Sequence, residues 1–149
     1  MNRVLKKFDE LTIHELYAII RLRNEVFIVE QNCVYQDADN KDQQSYHLMI
    51  WQDEVLVAYT RILPPRVSYP EPSIGRVVVL PAARRNGLGR ELMLQSLKAT
   101  ENLFGKQMIR LAAQLYLQGF YESLGFIRTG DPYLEDGIEH IEMIRTPSK

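Results

Sequence analysis

The sequence predicts an α+β fold, a central mixed sheet flanked by helices. Three observations predict it. Segments of strand and helix character follow in the order β-α-β-β-β-α-β-α-β-β, which lacks the strict alternation of a doubly wound fold. Two segments repeat their apolar residues at helical spacing, and the runs between them are rich in Val, Ile, Leu and Tyr as strands are. At 149 residues the chain is long enough for one domain with a real core.

Residues 2–8, NRVLKKF, alternate loosely and predict a first strand. Thr12, with Glu15 three positions later, forms a capping-box pattern. Leu16, Ile19, Ile20, Arg23, Val26 and Phe27 follow at helical spacing and predict an amphipathic helix over 13–30. QNCVYQDADNKDQQS is polar and turn-rich, a loop of the length that often carries function. YHLMIW and EVLVAYTRIL predict two strands joined by a tight turn at QDE. PPRVSYPEPS holds four prolines in ten residues, which excludes regular structure. It reads as an internal loop, because neither flank has enough strands to fold alone. IGRVVVL is a strand, and GLGRELMLQSLKATENLF is a helix with Leu88, Leu92, Leu97 and Leu103 among its apolar positions. QMIRLAA is a strand, and LQGFYESLG is a short helix ending at Gly125. FIRTGDPYLEDGIEHIEMIR predicts a last strand pair around a turn at Asp136-Gly137. The expectation is a single domain over 1–149, with no internal repeat.

Composition narrows the function. Hydrophobic residues make up 46% and charged residues 25%, ordinary for a soluble globular protein. The net charge of −1 gives no basic field, so no nucleic-acid partner is expected. No apolar run approaches the ~20 residues that span a membrane, and no membrane partner is expected. MNRVLKKFDE lacks the apolar stretch of a signal peptide. The lone Cys33 excludes an internal disulfide framework. The compartment expected is the cytoplasm, and no metal is expected.

The stretch RVVVLPAARRNGLGRELM carries the chemistry. A helix N-terminus leaves its first N–H groups unpaired and carries partial positive charge, which suits an anion. Gly87 and Gly89 sit where the helix begins, and Arg84, Arg85 and Arg90 surround them. A dinucleotide fingerprint needs a third glycine where Leu92 stands, and the Gly-Lys-Ser/Thr of a P-loop is missing. The spacing that remains is Arg84-x-x-Gly87-x-Gly89. By itself it fits either a plain turn or a phosphate cradle.

A second segment, QLYLQGFYESLGF at 114–126, follows the next strand. Together the two resemble the GNAT superfamily of acyl-CoA-dependent N-acyltransferases. That family's acyl-CoA motif, Arg/Gln-x-x-Gly-x-Gly/Ala, is matched by RRNGLG. Its later motif is matched at Phe120, Tyr121, Gly125 and Phe126, with Gln114 where Asn is common and Leu117 where Ala is common. LRNEVFIVEQNCVYQDAD, VAYTRIL, IGRVVV and EDGIEHIEM are similar to the ElaA-type subgroup, so the resemblance covers nearly the whole chain.

The resemblance implies a GNAT-type fold: a twisted, mostly antiparallel mixed sheet whose strands splay at the acyl-CoA site. It implies an acetyl-CoA-dependent N-acetyltransferase that moves acetyl to a primary amine by direct attack through a tetrahedral intermediate. The alternative is a non-catalytic acyl-CoA-binding or interaction module of the same fold. Val77, Val78 and Val79 would meet the pantetheine arm, with an N–H near Val79 polarising the thioester carbonyl. Arg84, Arg85, Asn86, Gly87, Leu88, Gly89 and Arg90 would hold the pyrophosphate, and Gln114 would also face the cofactor. Tyr121 would be the general acid that protonates the departing thiolate. The strand carboxylate many members carry is missing from Ile74–Val79; Glu30, His47, His140, Glu142 and a water chain stand as alternatives for the base. Tyr35, Asp37, His47 and His140 would line the acceptor pocket, with the loop acids Asp37, Asp39 and Asp42 attracting a cationic amine. A homodimer is the assembly common in the superfamily.

Overall fold

The computed structural model describes residues 1–147. Its strands are β1 (Asn2–Lys7), β2 (Tyr46–Gln52), β3 (Val55–Leu63), β4 (Ser73–Val79), β5 (Ile109–Gln114), β6 (Ile127–Arg128), β7 (Tyr133–Glu135) and β8 (Ile138–Arg145). Its helices are α1 (Ile13–Arg23), α2 (Leu88–Phe104) and α3 (Gln118–Glu122). The strands form one mixed sheet in the order β1-β2-β3-β4-β5-β8-β6, with β7 on β8. Every pairing is antiparallel except β4 with β5.

Two cores cover opposite faces. Leu88, Leu92, Met93 and Leu97 of α2 pack with Leu48, Ile62, Ile74, Leu111, Ala113, Ile141 and Met143. On the other face Ile19 and Leu22 of α1, with Val26 beyond it, pack with Met49, Leu56, Tyr59 and Val78. The Thr12 capping box forms as the sequence predicts: Glu15 N–H donates to Thr12 Oγ1 at 3.0 Å, and Thr12 N–H to Glu15 Oε1 at 2.8 Å. Two left-handed residues, Asp136 (φ 51°) and Gly137 (φ 78°), turn β7 into β8.

Two expected elements come out differently. The helix predicted over 13–30 is regular α only to Arg23, and Asn24–Glu30 winds as wider π turns. Gln31 N–H bonds to Val26 O and Cys33 N–H to Ile28 O, five residues back in each case. The widened turn keeps Val26 in the core and carries Glu30 and Gln31 toward the glycine loop. The last strand pair is three strands, because Gly130-Asp131-Pro132 interrupts the run and Pro132 has no N–H to donate to a ladder.

One face of the sheet is bare at one end. Leu111, Ala113, Ile141 and Met143 point into the α2 core, so Arg110, Ala112, Gln114, His140 and Glu142 point to the α1 side. α1 packs on β3 and β4 and leaves β5 and β8 uncovered; Ala112, in the middle of β5, is exposed. Among the described residues no helix is long and apolar enough to cross a membrane.

Candidate active site

The site begins at an irregularity in β4. Arg61 of β3 faces Gly75, and Tyr59 faces Val78, so Thr60 alone stands opposite both Arg76 and Val77. Arg76 is the extra residue of this bulge, and its φ of 50° is left-handed. The bulge resets which side chains face which side: Ile74 belongs to the α2 core and Val78 to the α1 core. β4 pairs with β5 at Ser73 and Arg110 alone, where Arg110 N–H reaches Pro72 O at 3.1 Å, and beyond that point the two strands part. Leu80 N–H bonds back to Val57 O at 2.8 Å. Alternation in an antiparallel ladder then turns the Val79 N–H away from β3, into the gap. The Val79 carbonyl agrees, since it accepts from Arg84 Nε at 3.0 Å on that side.

The glycine loop lies at the end of this gap. Asn86 (φ 63°) and Gly87 (φ 73°) are both left-handed, and Gly87 is the N-cap of α2 with no side-chain cap. The first helical bond is Glu91 N–H to Gly87 O at 3.0 Å, so among the described residues the N–H groups of 86–90 have no protein acceptor. An exposed, uncapped start to a 17-residue helix fits a phosphate, because both the free donors and the helix dipole favour an anion. The surrounding side chains contribute unequally. Arg84 is locked in a two-pronged pair with Glu30, one contact at 2.6 Å, and so faces a carboxylate. Arg85 is exposed, while Arg90 reaches Ser123 Oγ at 3.2 Å. Gln114, at the mouth of the gap, exchanges amide contacts of 3.3 and 3.4 Å with Gln31.

Tyr121 is buried on α3, edge-on to Phe120 (5.1 Å) and Phe126 (5.9 Å). Its hydroxyl has no hydrogen-bond partner among the described residues. Burial, with a smaller contribution from Tyr116, pushes its pKa up, so the phenol stays protonated.

The loop after the π turns is held by a network of six charges. Arg23 donates to Asp37 (2.9 Å) and Asp42 (2.8 Å). Arg61 donates to Asp39 (2.7 and 2.8 Å) and Asp42 (2.9 Å), and Arg76 pairs with Asp37 (2.9 Å) and Asp39 (3.3 Å). Burial raises the Asp39 and Asp42 carboxyls, but the guanidiniums of Arg61 and Arg23 outweigh it and hold both below the ordinary range. Three aspartates meet three arginines here, so the acids expected to attract an amine are already neutralised. Asp37, 8% exposed, ties the loop to the bulge. His47 is wholly buried, with Nδ1 on Tyr59 Oη (2.7 Å) and Nε2 on Asp42 O (2.9 Å). It presents no surface to an acceptor, contrary to expectation, because β2 turns it into this network. Tyr35 is half-buried against Asp37 and the Arg76 guanidinium.

Of the expected acceptor residues, His140 alone reaches the bare face of β5 and β8. There it stacks on Tyr133 (6.0 Å, 27°), with Glu135 at 3.7 Å from Nε2. Arg110 bridges Glu71 (2.9 Å) and Glu142 (2.6 Å). The Tyr69 phenol lies within electrostatic reach of Glu142, Glu135 and Arg110. Cys33 Sγ reaches Asp136 O at 3.3 Å and joins the loop to the β7–β8 turn. Tyr69, Glu71, Arg110 and Tyr133 escaped sequence reasoning, since they come from the proline loop and two separate strands. Among the described residues no group of three or more His, Cys, Asp or Glu is placed to hold a metal ion.

Comparison with known proteins places this arrangement. Residues 10–147 match the family model described as the acetyltransferase (GNAT) domain. Protein ElaA of Escherichia coli is 43% identical over 139 residues, 92% of this chain and 91% of that one. Its crystal structure superposes with a TM-score of 0.91, covering 97% and 98% of the two chains at 40% identity. An acyl-CoA N-acyltransferase from Pseudomonas aeruginosa superposes with a TM-score of 0.93 at 44% identity, over 98% of this chain and all of that one. An aminoglycoside 6'-N-acetyltransferase complexed with coenzyme A shares the fold, with a TM-score of 0.71 at 17% identity over 96% of each chain.

Proposed function

The chain belongs to the GNAT acetyltransferase family, and from that membership we propose that it moves an acetyl group from acetyl-CoA to a primary amine. One observation carries the reading: the uncapped start of α2 and the outward Val79 N–H lie along one gap, between strands that pair at a single point. A pyrophosphate needs the first, and a thioester carbonyl needs the second. Acetyl-CoA supplies the acyl group in activated form as a thioester. The main-chain N–H groups of 86–90 bind the diphosphate, and Arg85 and Arg90 add positive charge at its rim. Val77 and Val79 flank the gap, Val78 anchors the strand in the α1 core, and Gln114 turns its amide toward the pantetheine arm. The Val79 N–H donates to the thioester oxygen as negative charge develops there. Tyr121, protonated and without a competing partner, gives its proton to the departing sulfur. Of the groups considered as base, Glu30 is held by Arg84 and His47 is sealed, while His140 and Glu142 share the open face. The domain acts as one unit over 1–149, in the cytoplasm, where Cys33 stays reduced.

The test is thiol release from acetyl-CoA across a panel of amines, with the thermal shift produced by acetyl-CoA as a parallel readout. Amine-dependent release is expected, and Tyr121→Phe should lower kcat by about 10²-fold or more while sparing the thermal shift. Unchanged kcat in Tyr121→Phe removes that residue from the mechanism. A thermal shift without release from any amine leaves a binding module instead of an enzyme.

A further inference from the structure

The bare face of β5 and β8 has a chemistry of its own. Resting on the acyl-transfer reading and naming the acceptor class of that site, we propose that the acceptor is an aliphatic amine with a second positive charge, whose distal ammonium docks among Tyr69, Tyr133, Glu135 and Glu142.

Charge distribution is the first argument. On the loop side the three aspartates are matched by Arg23, Arg61 and Arg76. On the β7–β8 side three carboxylates, Glu71, Glu135 and Glu142, stand with one guanidinium, Arg110, among the described residues. Excess negative charge is therefore confined to one end of the vestibule. Glu135, with its side chain 57% exposed, has no arginine or lysine partner among the described residues.

Ring placement is the second. Tyr133 and His140 stack on each other, and Tyr69 comes over from the proline loop toward the same carboxylates. Burial leads the causes that push Tyr133 up to about 12, so its ring stays neutral. Neutral phenol faces beside carboxylates attract an alkylammonium through the ring quadrupole as well as through charge.

Spacing is the third. The reacting nitrogen must be neutral and must reach the β4–β5 gap, whereas β7 lies two strand positions beyond β5. At about 4.8 Å per strand that is roughly 10 Å. Exposed Ala112 leaves the floor between them open. At roughly 1.25 Å per bond, a chain of about eight methylenes spans this distance, with one amine at the gap and the other at β7.

The experiment compares kcat/KM for 1,8-diaminooctane, 1,10-diaminodecane, octylamine and Nα-acetyl-lysine amide at saturating acetyl-CoA. The expected result is a diamine preference of about tenfold over octylamine, reduced severalfold in Glu135→Gln and eroded by added salt. Glu135 is exposed on a short strand, so the variant should fold. Equal kcat/KM for octylamine and the diamines, a ratio unaltered in Glu135→Gln, or a preference for the lysine amide overturns the proposal. If no amine releases thiol, the acyl-transfer reading fails separately. The thermal shift of the CoA-loaded protein by 1,8-diaminooctane then decides the binding claim: a shift lost in Glu135→Gln supports it, and no shift overturns it.

Discussion

Gly87 holds the left-handed backbone from which α2 starts, and the conformation itself is the constraint there. A Cβ at this position would meet nothing within 4 Å, so the protein interior does not forbid a side chain. Its φ of 73° does, at roughly 1–2 kcal/mol for an L-residue, with β-branched residues at the costly end. Branched carbons would also stand between the phosphate and the N–H groups of 86–90. Gly87→Val should therefore lower Tm by several degrees and weaken acetyl-CoA binding more than tenfold. Arg85→Ala, at an exposed side chain, should leave Tm unchanged and cost far less affinity. Titration of both variants with acetyl-CoA measures the contrast. Equal losses would shift the cradle from main chain to side chains.

The β2–β3 hairpin shows how an element can keep the wrong residue in its turn. Gln52 pairs with Val55, so Asp53 (φ 48°) and Glu54 (φ 66°) are both left-handed, the geometry that favours Asn-Gly or Asp-Gly. The β7–β8 turn has the same geometry with Asp136-Gly137 in place. Glu54→Gly should therefore stabilise the protein by about 1 kcal/mol and raise Tm by roughly 2–4 °C, read by thermal unfolding at neutral pH. A lowered Tm would mean that Glu54 makes a contact outweighing its strain. Elements were legible in the sequence where local pattern decides them. Leu88, Leu92 and Leu97 of α2 are buried as their spacing demands, and Thr12 caps as its Glu15 partner demands. The helix predicted through residue 30 failed at Arg23, although the sequence carried a signal. An arginine on an apolar stripe has to find acids, and its partners Asp37 and Asp42 lie in the following loop. The glycine loop and Tyr121 could be found from motif and spacing. The acceptor vestibule could not, because Tyr69, Arg110, Tyr133 and Glu142 lie far apart in sequence and meet only through the strand order β5-β8 with β7 outside it.

At the scale of the whole molecule, a charged layer beside the α1 core makes stability depend on pH. His47 lies within that layer; burial lowers its pKa, and its contact with the Asp42 carbonyl opposes this only partly. The unfolded chain takes up a proton at this histidine below about pH 6.5, and the folded chain resists doing so. Stability from His47 is thus complete above pH 6.5 and declines as pH falls toward its lowered folded value, by at most about 1.4 kcal/mol per pH unit. Asp39 and Asp42 are also lowered, so their contribution is intact above the ordinary carboxylate range near pH 4 and disappears on further acidification. Thermal unfolding should show two regimes: a shallow fall in Tm from pH 6.5 to 5, then a steep one below about pH 4.5. His47→Gln, which keeps hydrogen-bonding groups but cannot titrate, should flatten the first regime and leave the second. A shallow regime of equal slope in both proteins would assign it to another group. A missing steep regime would mean that the Arg23–Asp42 and Arg61–Asp39 pairs contribute no net stability, as buried ion pairs can when desolvation cancels their attraction.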